Sequence, residues 1–454
     1  MGTIEWLSLS QIMLDEIFQS YQEGKDIKII EIKQLLKQFL AENEGKQKEE
    51  KLKSLYEEII NSKVRKDYGY YEPNDYVKIK NNSSENVFNH KLNPILLEDD
   101  ELLDHIYGGW LGRCAGCLLG KPVEGMSFEQ IKELNKWKNN WPIKYYISKK
   151  NGLPTNFNMD EEQVKRYKTG VFENVLEKNS MLRDDDIDYT IIGLRVLERY
   201  GKEFTSIDIG MTWLEYLPLF LTYTAERVAY KNLINGINPP ETAFYYNPYR
   251  EWIGAQIRGD IWGYVNPANL EKATEFAYRD AIISHQKNGI YGELFVSAAI
   301  AASFGTSDIS TVIKLALSRV PAKSRLYETI KNVMKWSKNN SDWRDTFQCI
   351  REKYSDYNWF HVIPNAAIVV MALIYGEGDF SKSITIAVMA GLDTDCNGAT
   401  VGSILGIITG ASRLPSKWIN PMNDQVSSAL AGMTELNISD LATRTLSIIK
   451  NKRG

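Results

Sequence analysis

Apolar residues recur at three- and four-residue spacings along most of this chain, and stretches that alternate apolar with polar residues are few. The first spacing marks a helix with one buried face, the second a half-buried strand. The pattern predicts helices around 100–119, 187–200, 207–223, 270–285, 293–304, 309–318, 325–338, 365–375, 381–390, 398–411 and 438–451. Residues 1–66 keep the helical period but carry far more charge, as in Ile29, Ile32, Leu35, Leu36 and Phe39. Residues 68–93, rich in Tyr, Asn and Lys and containing Pro73 and Ser83-Ser84, read as an irregular connection wrapping the main body. The expected architecture is all-α, with a helical extension over 1–95 ahead of a main domain over 96–454. No internal repeat of 20–50 residues interrupts this picture.

One helix stands out by its glycines. Gly108, Gly112, Gly116 and Gly120 fall four apart, with Ala115 beside them. Positions four apart share a helix face, so this element presents a strip of nearly bare backbone. Each helical glycine costs about 1 kcal/mol relative to alanine, and very close approach of a second helix is the expected compensation. A phosphate-binding P-loop does not fit, because Gly120-Lys121 is followed by Pro122 rather than by a hydroxyl residue. The turn that follows, Lys121-Pro122-Val123-Glu124-Gly125, would deliver Glu124 to a rim.

Two acidic clusters lie far apart, Asp184-Asp185-Asp186-Ile187-Asp188 and Asp393-Thr394-Asp395-Cys396-Asn397. Carboxylates this dense repel one another unless a cation or solvent separates them, and hard divalent ions want oxygen ligands at such density. Each cluster precedes an apolar helical run, so the carboxylates also face unpaired N–H groups and the positive end of a helix dipole. The plain alternative is that these are capping acids on solvated turns.

Bulk properties then narrow the choices. The chain has 454 residues, 43% of them hydrophobic, enough to bury a large core. A net charge of −4 leaves no basic excess for general nucleic-acid binding. No stretch of about 18 uncharged apolar residues occurs, and the first thirty residues carry charges throughout, so neither a membrane span nor a signal peptide is expected. Four cysteines do not make a disulfide framework, and the cytoplasm is the expected compartment. Cys114 and Cys117 lack the second pair that a zinc site needs, and are expected in the core. His90, His105, His285 and His361 are the only histidines, which argues against a histidine-built metal centre and for oxygen ligands.

Taken together, Tyr107–Glu124, Asp184–Thr190, Ser284–Glu293 and Gly391–Gly398 occur in an order that resembles the ADP-ribosylglycohydrolases. The resemblance covers roughly residues 96–448. It implies a single large orthogonal helical domain whose central cleft holds two divalent cations, Mg²⁺ or Mn²⁺. It also implies cleavage of the bond between the anomeric ribose carbon of ADP-ribose and a side chain or small acceptor. By this resemblance the metal ligands fall on Asp184, Asp185, Asp186, Asp393, Asp395 and Cys396, and Glu124, Asp186 and Asp395 take the catalytic roles. His285 lies where the family often carries a cleft histidine. The stretch Asn288, Gly289, Tyr291 and Gly292 is the expected substrate-binding turn, with its glycines at the pyrophosphate. The aromatic run Phe244–Trp252, with Trp262 and Tyr264, is a candidate adenine wall or ordinary core packing.

Three positions depart from the family pattern. Asp184 stands where a hydroxyl is usual, Ile187 replaces a threonine, and Cys396 replaces the hydroxyl residue of the second site. The first adds charge and the last removes a hard ligand, so two metals of unequal affinity are expected, with Mn²⁺ tolerated better than Mg²⁺. The expected substrate is an ADP-ribosylated protein or a small ribosyl compound. The alternatives are a hydrolase of another ribosyl compound, such as a nucleoside, and a non-catalytic binding or structural member.

Overall fold

The computed structural model describes residues 8–41, 45–84, 92, 97–148, 152–160, 163–164 and 179–451, so the expected boundary at residue 95 lies outside the described residues. The protein is all-α. Among the described residues the one sheet is an antiparallel ribbon of β1 (Gln425–Ser427) and β2 (Glu435–Asn437). The helices that position the site are α1 (Leu9–Gln22), α2 (Ile29–Ala41), α3 (Lys46–Asn61), α4 (Asp99–Gly120), α5 (Asp185–Tyr200), α6 (Asn288–Ser303), α7 (Val362–Gly376) and α8 (Thr394–Thr409).

Most expected helices of the main body lie within a few residues of their predicted bounds. Two differ for local reasons. The helix expected over 207–223 is Ser206–Tyr216, and it ends where Pro218 cannot continue it. Helix α6 begins at Asn288, five residues ahead of the expected start at 293, so the turn expected at Gly289–Gly292 is its first helical turn. Short helices at Phe128–Trp137, Thr224–Ile234 and Trp343–Lys353 were not expected. The first and last start on side-chain caps, Ser127 with Gln130 as a capping box and Asp342.

The centre of the main body is the antiparallel pair α4 and α8, and the glycine strip explains it. A Cβ on Gly108, Gly112 or Gly116 would run into the backbone of Gly406, Gly402 or Gly398, and the reverse clashes hold for those three glycines of α8. The two strips mesh backbone to backbone, and the dispersion contacts made there offset the cost of so many helical glycines. Cys114 and Cys117 are fully buried in α4, as expected.

The N-terminal helices enclose an apolar cluster of their own, including Met13, Ile17, Leu36, Leu55, Tyr56 and Ile59. Their attachment to the main body is largely ionic and buried. Arg250, fully buried, binds Glu16 at 2.7 Å and Glu23 at 2.7 Å, and Gln19 donates to Glu251 at 2.7 Å. Residues 68–84 then wrap the main body as expected, though with a short helix at Tyr76–Asn82. Glu72 pairs with Arg325 at 2.8 Å, Tyr71 N–H donates to the Lys323 carbonyl at 2.9 Å, and Tyr291 hydroxyl donates to the Pro73 carbonyl at 2.6 Å. No described helix is long and apolar enough to cross a membrane.

Candidate active site

The glycine contact sets the geometry. Because α4 and α8 run antiparallel, the end of α4 lies against the start of α8: Gly120 abuts the Thr394 backbone, and Thr394 hydroxyl donates to the Gly120 carbonyl at 2.8 Å. The turn after α4 carries Lys121 and Glu124, so both arrive beside Asp393 and Asp395. The first acidic cluster joins them through Arg113, a buried residue of α4. Its guanidinium donates to the Asp186 carbonyl at 2.7 and 3.2 Å, to Asp186 Oδ1 at 3.3 Å and to Asp260 Oδ2 at 2.8 Å. Asp184 caps α5, accepting from the Asp186 N–H at 3.1 Å, and Asp393 occupies the N-cap position of α8.

Three overlapping groups result: Glu124 with Asp393 and Asp395, Asp186 with Asp395 and Cys396, and Cys117 with Asp184 and Asp186. Within each, one potential ligand atom per residue lies within 4.8 Å of the others. Burial, then the neighbouring charges, push the carboxyls of Asp186 and Asp395 well above the usual range. For Asp186, Arg113 opposes that rise while Asp184, Asp185 and Asp393 add to it; for Asp395 the contributors are Glu124, Asp393, Asp184 and Asp186. Asp395 Oδ1 is buried without a hydrogen-bond partner among the described residues. An orphaned, buried, oxygen-rich donor set of this kind fits a divalent cation, and these clusters can hold one.

Asp184 is different. Burial works against its charge, yet Lys121, paired with its Oδ2, and Arg183 hold the carboxyl below its ordinary value. The extra charge that Asp184 brings in place of a hydroxyl is thus offset within the chain, by a lysine that no motif or spacing pairs with it. Cys396 donates its thiol to Asp186 Oδ2 at 3.1 Å, and burial, then the nearby carboxylates, push that thiol well up. Asp185 is half-buried in the cleft wall, outside the three close groups. Asp188 turns away, binding Arg183 at 2.7 Å and accepting the Ala429 N–H at 2.9 Å.

The carboxylates open into a cleft of about 710 Å³. Its further lining includes Tyr223, Glu226, Tyr249, Trp252, Phe360 and, from the N-terminal helix α1, Gln11 and Asp15. Trp252 stacks on Phe360 with ring centroids 5.1 Å apart. Of the aromatic candidates, Tyr249 and Trp252 line the cleft, whereas Trp262 and Tyr264 are buried in the core. Tyr223, Glu226 and Phe360 carried no signal in the sequence, since neither motif nor period distinguishes them from packing residues.

The expected substrate-binding residues are placed elsewhere, which corrects the reading of that stretch. His285, Asn288, Gly289, Tyr291 and Gly292 are buried and do not line the cleft. The anion seat at the start of α6 is filled by protein: Glu251 Oε1 accepts the Asn288 N–H at 3.1 Å and its side-chain amide at 2.8 Å. Asn288 also donates to Glu72, so the N-terminal extension covers the stretch. A Cβ on Gly289 would meet the Arg250 carbonyl and one on Gly292 would meet Val362, so these glycines serve close packing.

Comparison with known proteins identifies the scaffold. Residues 98–447 match the family described as ADP-ribosylglycohydrolase. The chain belongs to that family. An uncharacterised protein of Archaeoglobus fulgidus is 24% identical to this ADP-ribosylglycohydrolase-family chain over 318 residues, covering 69% of the chain and 90% of that protein. Among solved structures, an ADP-ribosylglycohydrolase-related protein complex is similar, at 16% identity and a TM-score of 0.47, covering 77% of this chain and 98% of its own. The residues before 98, including α1 and its cleft-lining side chains, lie outside the family match.

Proposed function

We propose that the protein is a metal-dependent glycohydrolase that cleaves an N- or O-glycosidic bond at the anomeric carbon of an ADP-ribosyl group, carried by a protein or a small molecule. The observation that supports this most is the meeting of Glu124, Asp186, Asp393 and Asp395 in one cleft with Asp395 Oδ1 orphaned. These four, with Asp185 and Cys396 beside them, are the residues to hold two divalent cations, Mg²⁺ or Mn²⁺. Bound there, the cations would neutralise the carboxylates and supply Lewis-acid polarisation of water and ribose hydroxyls.

The chain's own groups do the rest. Breaking the anomeric bond builds positive charge on the ribose ring, and the carboxylates of Glu124 and Asp395 face the space where that charge develops. Glu124, half-buried at the rim on the turn after α4, is the candidate to accept the proton of the attacking water. The pyrophosphate has no seat at α6, so Lys121 and Arg183, the two cationic side chains that line the cleft among the described residues, are its countercharges. Trp252 and Phe360 offer a flat apolar face to the adenine.

Calorimetric titration of ADP-ribose in Mn²⁺, and again in EDTA, tests the reading. Binding that needs the metal supports it; binding indifferent to EDTA, or none at all, removes it. Asp393→Asn is expected to abolish turnover of ADP-ribosylated substrates while leaving the unfolding transition cooperative, and full turnover in that variant would exclude the metal role.

A further inference from the structure

Helix α1 lies outside the family match yet supplies part of the cleft wall, through Gln11 and Asp15. Both side chains are fixed. Tyr249 hydroxyl donates to Asp15 Oδ2 at 3.0 Å, and Gln11 side-chain amide donates to Asp15 Oδ1 at 3.0 Å. The helix behind them cannot drift, because the residue next to Asp15 is Glu16, held by the buried guanidinium of Arg250, and Gln19 one turn on is bonded to buried Glu251. Beside the carboxylate the wall is aromatic: Tyr249 and Trp252 lie with ring centroids 4.6 Å apart, and Trp252 continues the stack onto Phe360.

We infer that α1 is a specificity element of the cleft, in which Asp15, positioned by Gln11, reads the exocyclic amino group of a purine lying on the Trp252 face. The inference rests on the functional reading above and extends it to the base end of the ligand. A carboxylate oxygen accepts more than one hydrogen bond, so Asp15 keeps acceptor capacity beyond Tyr249 and Gln11. An acceptor-only group rejects a base that offers a carbonyl oxygen at the same place, because two acceptors then face each other with no proton between them. The wall therefore selects an aminopurine over its oxo counterpart, and the carboxylate that makes the choice belongs to this chain's extension rather than to the shared family body.

The experiment uses the full chain with Mn²⁺ and compares ADP-ribose with its hypoxanthine counterpart, in which the amino group is replaced by a carbonyl. The wild type should bind ADP-ribose at least about tenfold more tightly than the oxo form. Asp15→Asn, whose amide can donate, should bring that ratio close to one, with the affinity for ribose 5-phosphate, which has no base, unchanged. Gln11→Ala should lower the ratio in the same direction by a smaller factor. A wild type that binds both nucleotides equally, or variants that keep the full ratio, would overturn the inference while leaving the functional reading intact. A wild type that takes up Mn²⁺ but binds neither nucleotide would remove both.

Discussion

Asp395 shows how far a single residue can be held from its preferred state. Its carboxyl is buried, crowded by acids and lacks a partner for Oδ1 among the described residues. Removing that charge should help the metal-free fold. Asp395→Asn is expected to raise the thermal midpoint in EDTA by a few degrees and to abolish the further rise that Mn²⁺ gives the wild type, as scanning calorimetry would show. Cys396 makes a second test: Cys396→Ser restores a hard hydroxyl and should tighten Mg²⁺ more than Mn²⁺ in calorimetric titration. His361 provides a pH signature outside the acidic clusters of the cleft, beside Glu251. Burial, only partly countered by Glu251, lowers its pKa from 6.5 to about 3, while Nδ1 accepts the Ile363 N–H at 3.2 Å. The unfolded chain then binds the extra proton at higher pH than the folded one, so stability falls as pH drops from about 6.5 to about 3. His361→Asn keeps a capping acceptor, and its denaturation curves should lose part of that slope.

Helices were the legible elements, because a buried face leaves its period in the sequence whatever the partner. The glycine strip was legible as a demand for close approach, but its partner was not. The glycines of α8 lie among Asn397, Val401 and Ile404 and read as an ordinary apolar run until the two strips are seen together. The stretch Ser284–Glu293 misled for a related reason. Glycines beside polar residues look the same whether they cradle an anion or admit a neighbouring backbone, and Glu251, which fills the helix start, is far away in sequence. The α4–α8 contact carries its own prediction. Alanine usually stabilises a helix relative to glycine by about 1 kcal/mol, yet at Gly112 its methyl would meet the Gly402 backbone, which cannot step aside. Gly112→Ala should therefore destabilise by about 3 kcal/mol or more. At Gly109 the nearest atoms belong to the side chains of Ile407 and Tyr264, and Gly109→Ala should cost clearly less. Equal effects in urea denaturation would contradict the packing argument.

At the scale of the molecule, the N-terminal extension is fastened by charges that the main body cannot leave bare. Arg250→Met removes the partner of Glu16 and Glu23 together, and should cost about 3–5 kcal/mol in chemical denaturation. In the sequence these were scattered ions on amphipathic helices, because an ion pair has no period and its partners stand more than two hundred residues apart. The acidic clusters were conspicuous; the Lys121 that balances one of them and the Arg113 that anchors it were not.

The same long-range joints set a timetable for the newborn chain. Synthesis proceeds from the N-terminus at roughly 5–20 residues per second. Glu16 and Glu23 therefore emerge long before Arg250, and the glycines of α4 wait longer still for those of α8. For roughly a quarter of a minute to a minute, a strip of uncovered helical backbone and a set of unmatched acids must remain soluble on the ribosome.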